Sequence, residues 1–194
     1  MPASGRTRMC SGFVSPDPAK PTPAAMLVLA AVLIGAAGQA APSLEWAVKA
    51  EYLFKLVPFV EWPQDAFASP GEPFRLCIVG DDPFGPLLDE AGQGQTAGER
   101  QLTVVRLKTV APDQHCQLMY IAGDPQFVAQ TLDAVNGRPV LTVTDAQNGR
   151  KGIINFVRLQ NHVRFQVDQD AATKNHLNVS SKLLVIAAAT GNAR

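Results

Sequence analysis

Two thiols, two adjacent carboxylates and three scattered histidines are the side chains here that could do chemistry. Cys77 and Cys116 come first. The third cysteine, Cys10, lies in an amino-terminal segment that reads as an export signal. In an oxidising compartment Cys77 and Cys116 are then left with each other. A disulfide, structural or redox-sensitive, is their simplest chemistry, with two buried thiols as the alternative. Closing a loop of about forty residues stabilises a fold by roughly 4 kcal/mol in the chain-entropy account. The bond requires Cα atoms no more than about 7 Å apart. No Cys-x-x-Cys occurs, which argues against thioredoxin-type exchange.

Gly80-Asp81-Asp82-Pro83-Phe84-Gly85 follows a strand and precedes a helix, where a phosphate could be cradled. It is neither a dinucleotide fingerprint nor a Walker loop, and two carboxylates repel phosphate. A strand-end turn with a helix cap explains the residues more simply, yet this remains the place to look for a small polar ligand, with Asp145 near the same edge. His115, His162 and His176 are far apart and none stands at metal-ligand spacing, so no metal or other cofactor is expected. Ser180 and Ser181 precede a helix and read as caps. Asp145 and Asp168 are single carboxylates at element ends, not an acid/base pair. Glu61-Trp62-Pro63 either fills the core, the favoured reading, or offers an aromatic anchor to a partner.

These side chains need elements to hold them. Leu44 to Trp62 carries Leu44, Val48, Tyr52, Leu56 and Phe59 at steps of four and three, one helical face that Pro58 bends or ends. Trp46 falls outside that stripe. Phe74 to Val79 is a strand closed by Gly80. Asp82-Pro83 opens a helix whose Leu87 and Leu88 face the sheet. Gly92 to Gly98 is a flexible loop. Leu102 to Leu107 and Leu118 to Ile121 are strands. Asp124-Pro125 opens a helix that Asn136-Gly137 stops. Val140 to Thr144 is a further strand, and Ile153 to Arg158 with His162 to Val167 form a hairpin around Gln160-Asn161. Asp170 to Asn175 and Lys182 to Ala189 are the last helices. The expected fold is a single-domain α/β sandwich. Its mixed sheet has about six strands flanked by helices and is mostly parallel in its first half. Its crevice lies beyond the carboxyl ends of the strands.

Met1 to Ala40 has the parts of a secretory signal: Arg6, Arg8 and Lys20 in front, an apolar run from Ala24 to Ala37, then small residues at Gly38 and Ala40. The run is shorter than a membrane span, and cleavage is placed after Ala40. An uncleaved membrane anchor is the alternative, and Met9 or Met26 are alternative starts. No cysteine stands at lipobox spacing. Residues 41–194 are long enough for one domain with its own core. Removing three basic residues and Asp17 changes the balance from 17 − 17 to 14 − 16, a net charge of −2. With no basic stripe, nucleic acid is not an expected partner.

Several stretches together resemble the YfiR family of exported proteins. They are Val48-Lys49-Ala50 with Tyr52-Leu53-Phe54, Phe59 to Pro63, Leu76 to Gly85, His115-Cys116, and Val140 to Asp145. Gly152 to Phe156, Val163 to Val167 and Ser180 to Leu184 continue the series. No single one is diagnostic; their order and spacing together are quite specific. The resemblance implies a periplasmic repressor that holds the periplasmic sensing domain of an inner-membrane diguanylate cyclase inactive, lowering cyclic di-GMP and with it biofilm formation. An OmpA-like outer-membrane lipoprotein sequesters such repressors, and homodimers are frequent. Cys77 and Cys116 match the family's fold-supporting cysteine pair. A second pair, which some members carry in the stretch corresponding to Asp145 to Phe156, is missing here.

The expected function is therefore regulation by binding, without catalysis. A second class is a small-ligand sensor, with a polar molecule near Gly80, Asp81 and Asp145 acting on another signalling protein such as a histidine kinase. A thiol-based or α/β-type enzyme is the third class, for which the cysteines are the only nucleophiles on offer. The candidate contact residues for ligand or partner are Glu61, Trp62, Gly80, Asp81, Asp82 and Asp145.

Overall fold

Apolar runs broken by turn residues at short intervals give nine strands and five helices in the computed structural model, which describes residues 44–189. The expected signal segment, its cleavage point and Cys10 lie outside those residues. The first helix, α1 (Leu44–Leu56), ends in a 3-10 turn over Val57–Phe59, with Pro58 in it. Its buried face is Ala50, Leu53, Phe54 and Leu56, joined by Lys49. This corrects the expected stripe: Leu44 is exposed, and Val48, Tyr52 and Phe59 are only half-buried. The helix is apolar around much of its circumference, so spacing alone left its rotation undetermined.

The short strand β1 (Val60–Glu61) pairs antiparallel with β9 (Asn178–Val179) as a separate two-stranded ladder. The main sheet has seven strands where about six were expected. Its strands are β2 (Phe74–Gly80), β3 (Thr96–Ala97), β4 (Arg100–Leu107), β5 (Leu118–Ala122), β6 (Leu141–Thr144), β7 (Ile154–Leu159) and β8 (His162–Val167). They lie in the order β3-β4-β2-β5-β6-β7-β8. From β4 through β7 neighbours are parallel; β3 and β8 are antiparallel edges. The expected flexible loop at Gly92 to Gly98 therefore contains an edge strand. Gln160 and Asn161 both have positive φ, +48° and +65°, as a two-residue hairpin turn demands.

Residues of even number in β2 and β5 (Leu76, Ile78, Leu118, Tyr120) enter a large core. That core is shared with α1, with α2 (Pro86–Gly92), with α4 (Gln169–Lys174) and with α5 (Ser181–Ala189). Odd-numbered Cys77, Val79, Met119 and Ile121 enter a smaller one under Val128 and Leu132 of α3 (Pro125–Ala134). Both faces are covered, which is why these strands read as unbroken apolar runs.

The two Asp-Pro pairs behave differently. Asp124 is the N-cap of α3, its Oδ1 accepting from the Phe127 amide at 2.9 Å. An Asp124→Ala chain is expected to lose about 1 kcal/mol in urea unfolding. A midpoint equal to wild type would show that the cap is idle. Asp82 caps no helix: α2 begins at Pro86 with Gly85 as its N-cap. This corrects the expected start. The Asp82 Oδ1 closes a turn instead, accepting from the amides of Phe84 (2.8 Å) and Gly85 (3.1 Å).

Candidate functional site

The direction of chain travel reverses at β2. From β2 the chain passes through α2 to β4 on one side, then crosses to β5 on the other and continues through α3 to β6. Such a reversal leaves an open crevice at the carboxyl ends of the strands. Here the crevice encloses about 360 Å³ between the ends of β2, β5 and β6. Asp81 and Asp145 line it from the strand ends, Tyr120 from the middle of β5, Trp46 from α1, and Asn148 and Arg150 from the loop after β6.

Local geometry fixes each wall. Gly80 has φ +87°, and a Cβ there would lie 2.1 Å from the Ala122 carbonyl oxygen, so only glycine lets β2 turn out at this point. The Asp81 amide then donates to that same oxygen at 3.1 Å. The loop after β6 is held by buried Asn155. Its Oδ1 accepts from the Thr144 hydroxyl (2.7 Å) and the Ala146 amide (2.9 Å). Its Nδ2 donates to the Ala146 carbonyl at 3.2 Å. The Gly152 amide donates to Thr144 Oγ1 at 2.9 Å, closing the loop.

Beneath the crevice lies Lys49, a cation 2% exposed. Its Nζ donates to Glu45 four residues earlier and to Asp145 Oδ2 at 2.5 Å, and sits 4.3 Å from the Trp46 ring centroid. Two carboxylates and an aromatic ring stand in for the water it has lost. The Lys49 hydrogen bond holds the Glu45 carboxyl below its ordinary value of 4.5, burial opposes, and the charges of Lys49 and Arg158 add to the lowering. Trp46, Phe84 and Tyr120 stack edge to face, with centroids 5.6 and 4.8 Å apart. Burial raises the Tyr120 phenol well above its ordinary value, and the carboxylates of Asp145, Asp82 and Glu45 push it further.

Of the sequence-predicted contact residues, Asp81 and Asp145 line this crevice, and Gly80 shapes its rim. Asp82 is engaged elsewhere: its Oδ2 accepts from Arg106 Nε at 2.6 Å, while Arg106 also grips both Asp89 oxygens, at 2.8 and 3.0 Å. Glu61 and Trp62 do not line it. Trp62 packs edge-on to Phe74 at 4.9 Å and its Nε1 donates to the Gln117 carbonyl at 2.9 Å. Glu61 is exposed and accepts from Asn178 at 3.0 Å. Cys77 and Cys116 are disulfide-bonded, their Cα atoms 5.9 Å apart. Sequence reasoning passed over Lys49, Trp46 and Tyr120. Glu45-x-x-x-Lys49 reads as an ordinary solvent-facing helix pair, and the partner that draws the lysine inward is 96 residues away.

A mixed, doubly covered α/β sheet with a cleft at its strand-order reversal defines the class: a small α/β domain with a binding-type crevice. The chain belongs to the YfiR/HmsC-like family, whose model matches residues 46–188, from Trp46 on α1 into α5. Comparison with curated proteins finds no match.

Proposed function

We propose that the chain is exported to the periplasm, with its signal cleaved after Ala40, and acts there as a non-enzymatic repressor. Its target is the periplasmic sensor domain of an inner-membrane diguanylate cyclase, and its effect is less cyclic di-GMP. The observation that carries this reading is family membership across nearly the whole described fold. Repression follows from mass action: the protein binds one conformation of the sensor and holds its population there. An OmpA-like outer-membrane lipoprotein, as a competitor for the free repressor, relieves it without touching the cyclase. Glu61 and Trp62 belong to the candidate partner surface, and homodimerisation fits the same scheme.

Deletion of the gene is expected to raise cellular cyclic di-GMP, and tagged mature protein is expected to retain the cyclase from solubilised inner membrane. An unchanged nucleotide level, or native protein confined to the cytosol, overturns the reading. The crevice favours a second role alongside the first. A cleft of about 360 Å³ with both carboxylate and aromatic walls suits a small molecule. Its occupancy would bias the partner surface.

A further inference from the structure

The walls of the crevice select for charge. The Asp81 carboxylate is exposed and has no ion-pair or hydrogen-bond partner among the described residues. Asp145 shares Lys49 with Glu45, and Glu45 has a second, more exposed cation in Arg158 at 3.5 Å, so Lys49 is the one cation on Asp145 among the described residues. Arg150, the one lysine or arginine among the lining residues, is paired with Asp133. Tyr120 is 1% exposed, and its hydroxyl has no hydrogen-bond partner among the described residues. Every fully enclosed side-chain polar atom among those residues has one, so this hydroxyl must reach the crevice. It is a polar group on an otherwise buried side chain, open to a partner from the crevice.

An anion is the usual guest at such a strand-end cleft, because a helix N-terminus offers it free amides. Here that route is narrowed to one first-turn amide, that of Gln126. The first residue of α3 is Pro125, which has no N–H, and the Asp124 carboxylate already occupies the Phe127 amide. Burial is the main reason the Tyr120 phenol stays protonated, and the charges of Asp145, Asp82 and Glu45 act in the same direction, which suits a positive guest over a negative one. Trp46 and Pro83 supply apolar wall.

We propose that this crevice binds a small organic cation, an amine on a compact apolar body, its ammonium taken by Asp81 and the Tyr120 hydroxyl and its body laid along Trp46 and Pro83. This rests on the second, ligand-binding role given above, and not on the identity of the macromolecular partner.

Three probes of one shape separate the contributions by isothermal titration against the disulfide-bonded mature chain: 2-phenylethylamine, neutral 2-phenylethanol and anionic 3-phenylpropanoate. The amine is expected to bind at least about tenfold more tightly than either of the others, the margin a charge-assisted hydrogen bond supplies. Asp81→Asn, at an exposed position, is expected to weaken the amine by about ten- to hundredfold with no change in the urea midpoint. Tyr120→Phe is expected to weaken it less. Equal binding of the alcohol, preference for the carboxylate, or no heat from the amine at millimolar concentration overturns the proposal. None of these outcomes bears on capture of the cyclase or on the cyclic di-GMP level, so the two readings fail separately.

Discussion

Reduction of the Cys77–Cys116 bond is expected to cost about 4 kcal/mol of stability, from the entropy of closing a loop with a sequence separation of 39 residues. The placement of that loop gives the number its meaning. It holds α2, β3 and β4, the whole excursion to one side of β2, and it closes where the chain returns to begin β5. The bridge thus joins the two segments that must lie side by side before the strand order can reverse, and in the unfolded chain it keeps them near one another. Both sulfurs sit in the smaller core, at 0% and 3% exposure, among Val79, Met119, Ile121 and Val140. Substitution by serine would add two buried hydroxyls to the cost, so Cys77→Ala with Cys116→Ala is the better comparison. Urea unfolding of oxidised, reduced and doubly substituted chains measures the effect. The oxidised chain should stand about 4 kcal/mol above the reduced one, with the double variant lower again by the small cavities it leaves. Oxidised and reduced midpoints that coincide would show the crosslink to be energetically silent.

Much of this architecture was legible because local and tertiary signals agree. Asp124-Pro125 with Asn136-Gly137, the alternation from Ile153 to Val167, and the apolar runs ending at Gly80 and Thr144 each name an element whose ends the structure reproduces within a few residues. Legibility failed where a distant residue decided the outcome. Asp82-Pro83 has the same local chemistry as Asp124-Pro125, but Arg106, reaching over from β4, takes one oxygen of Asp82, and Gly85 at φ +51° delays the helix to Pro86. The two residues of β3 have no period to read and exist by pairing with Arg100 and Gln101. At the crevice, Gly80, Asp81 and Asp145 were found because strand ends are visible in a sequence. The floor was not, because Lys49, Trp46 and Tyr120 come from α1 and mid-strand β5, and meet Asp145 only when the sheet is assembled.

That floor ties the crevice to the helix above it. Asp145 has one face on the cleft and one oxygen on Lys49, and Lys49 lies against Trp46, itself a wall of the cleft. A guest that competes for Asp145 would loosen the hold on α1. The exposed side of α1 bears Glu51 and Lys55, so the helix connects the crevice to the surface through one buried ammonium.

Lys49→Met is accordingly expected to destabilise the fold by about 3 kcal/mol, the low end for breaking a buried ion pair. The low end applies because the Glu45 and Asp145 side chains keep 30% and 20% exposure, and water can screen them. The methionine replaces most of the volume of the lysine stem, so the loss measures two carboxylates deprived of their shared cation, Glu45 keeping only the more exposed Arg158. Lys49→Met combined with Glu45→Gln and Asp145→Asn should recover most of it, since no charge is then stranded. The pH dependence gives an independent check. In the native chain Glu45 titrates below its ordinary value of 4.5, chiefly through the Lys49 hydrogen bond. Its contribution is therefore complete above the ordinary carboxylate range and is lost as pH falls through the lowered value. In Lys49→Met the same acidification removes the carboxylate repulsion and so favours the folded state. The stability gap between wild type and Lys49→Met, read by urea unfolding, should shrink between about pH 7 and pH 4. A gap of the same size at both would mean that Lys49 supports α1 by the packing of its stem, and that its charge is incidental.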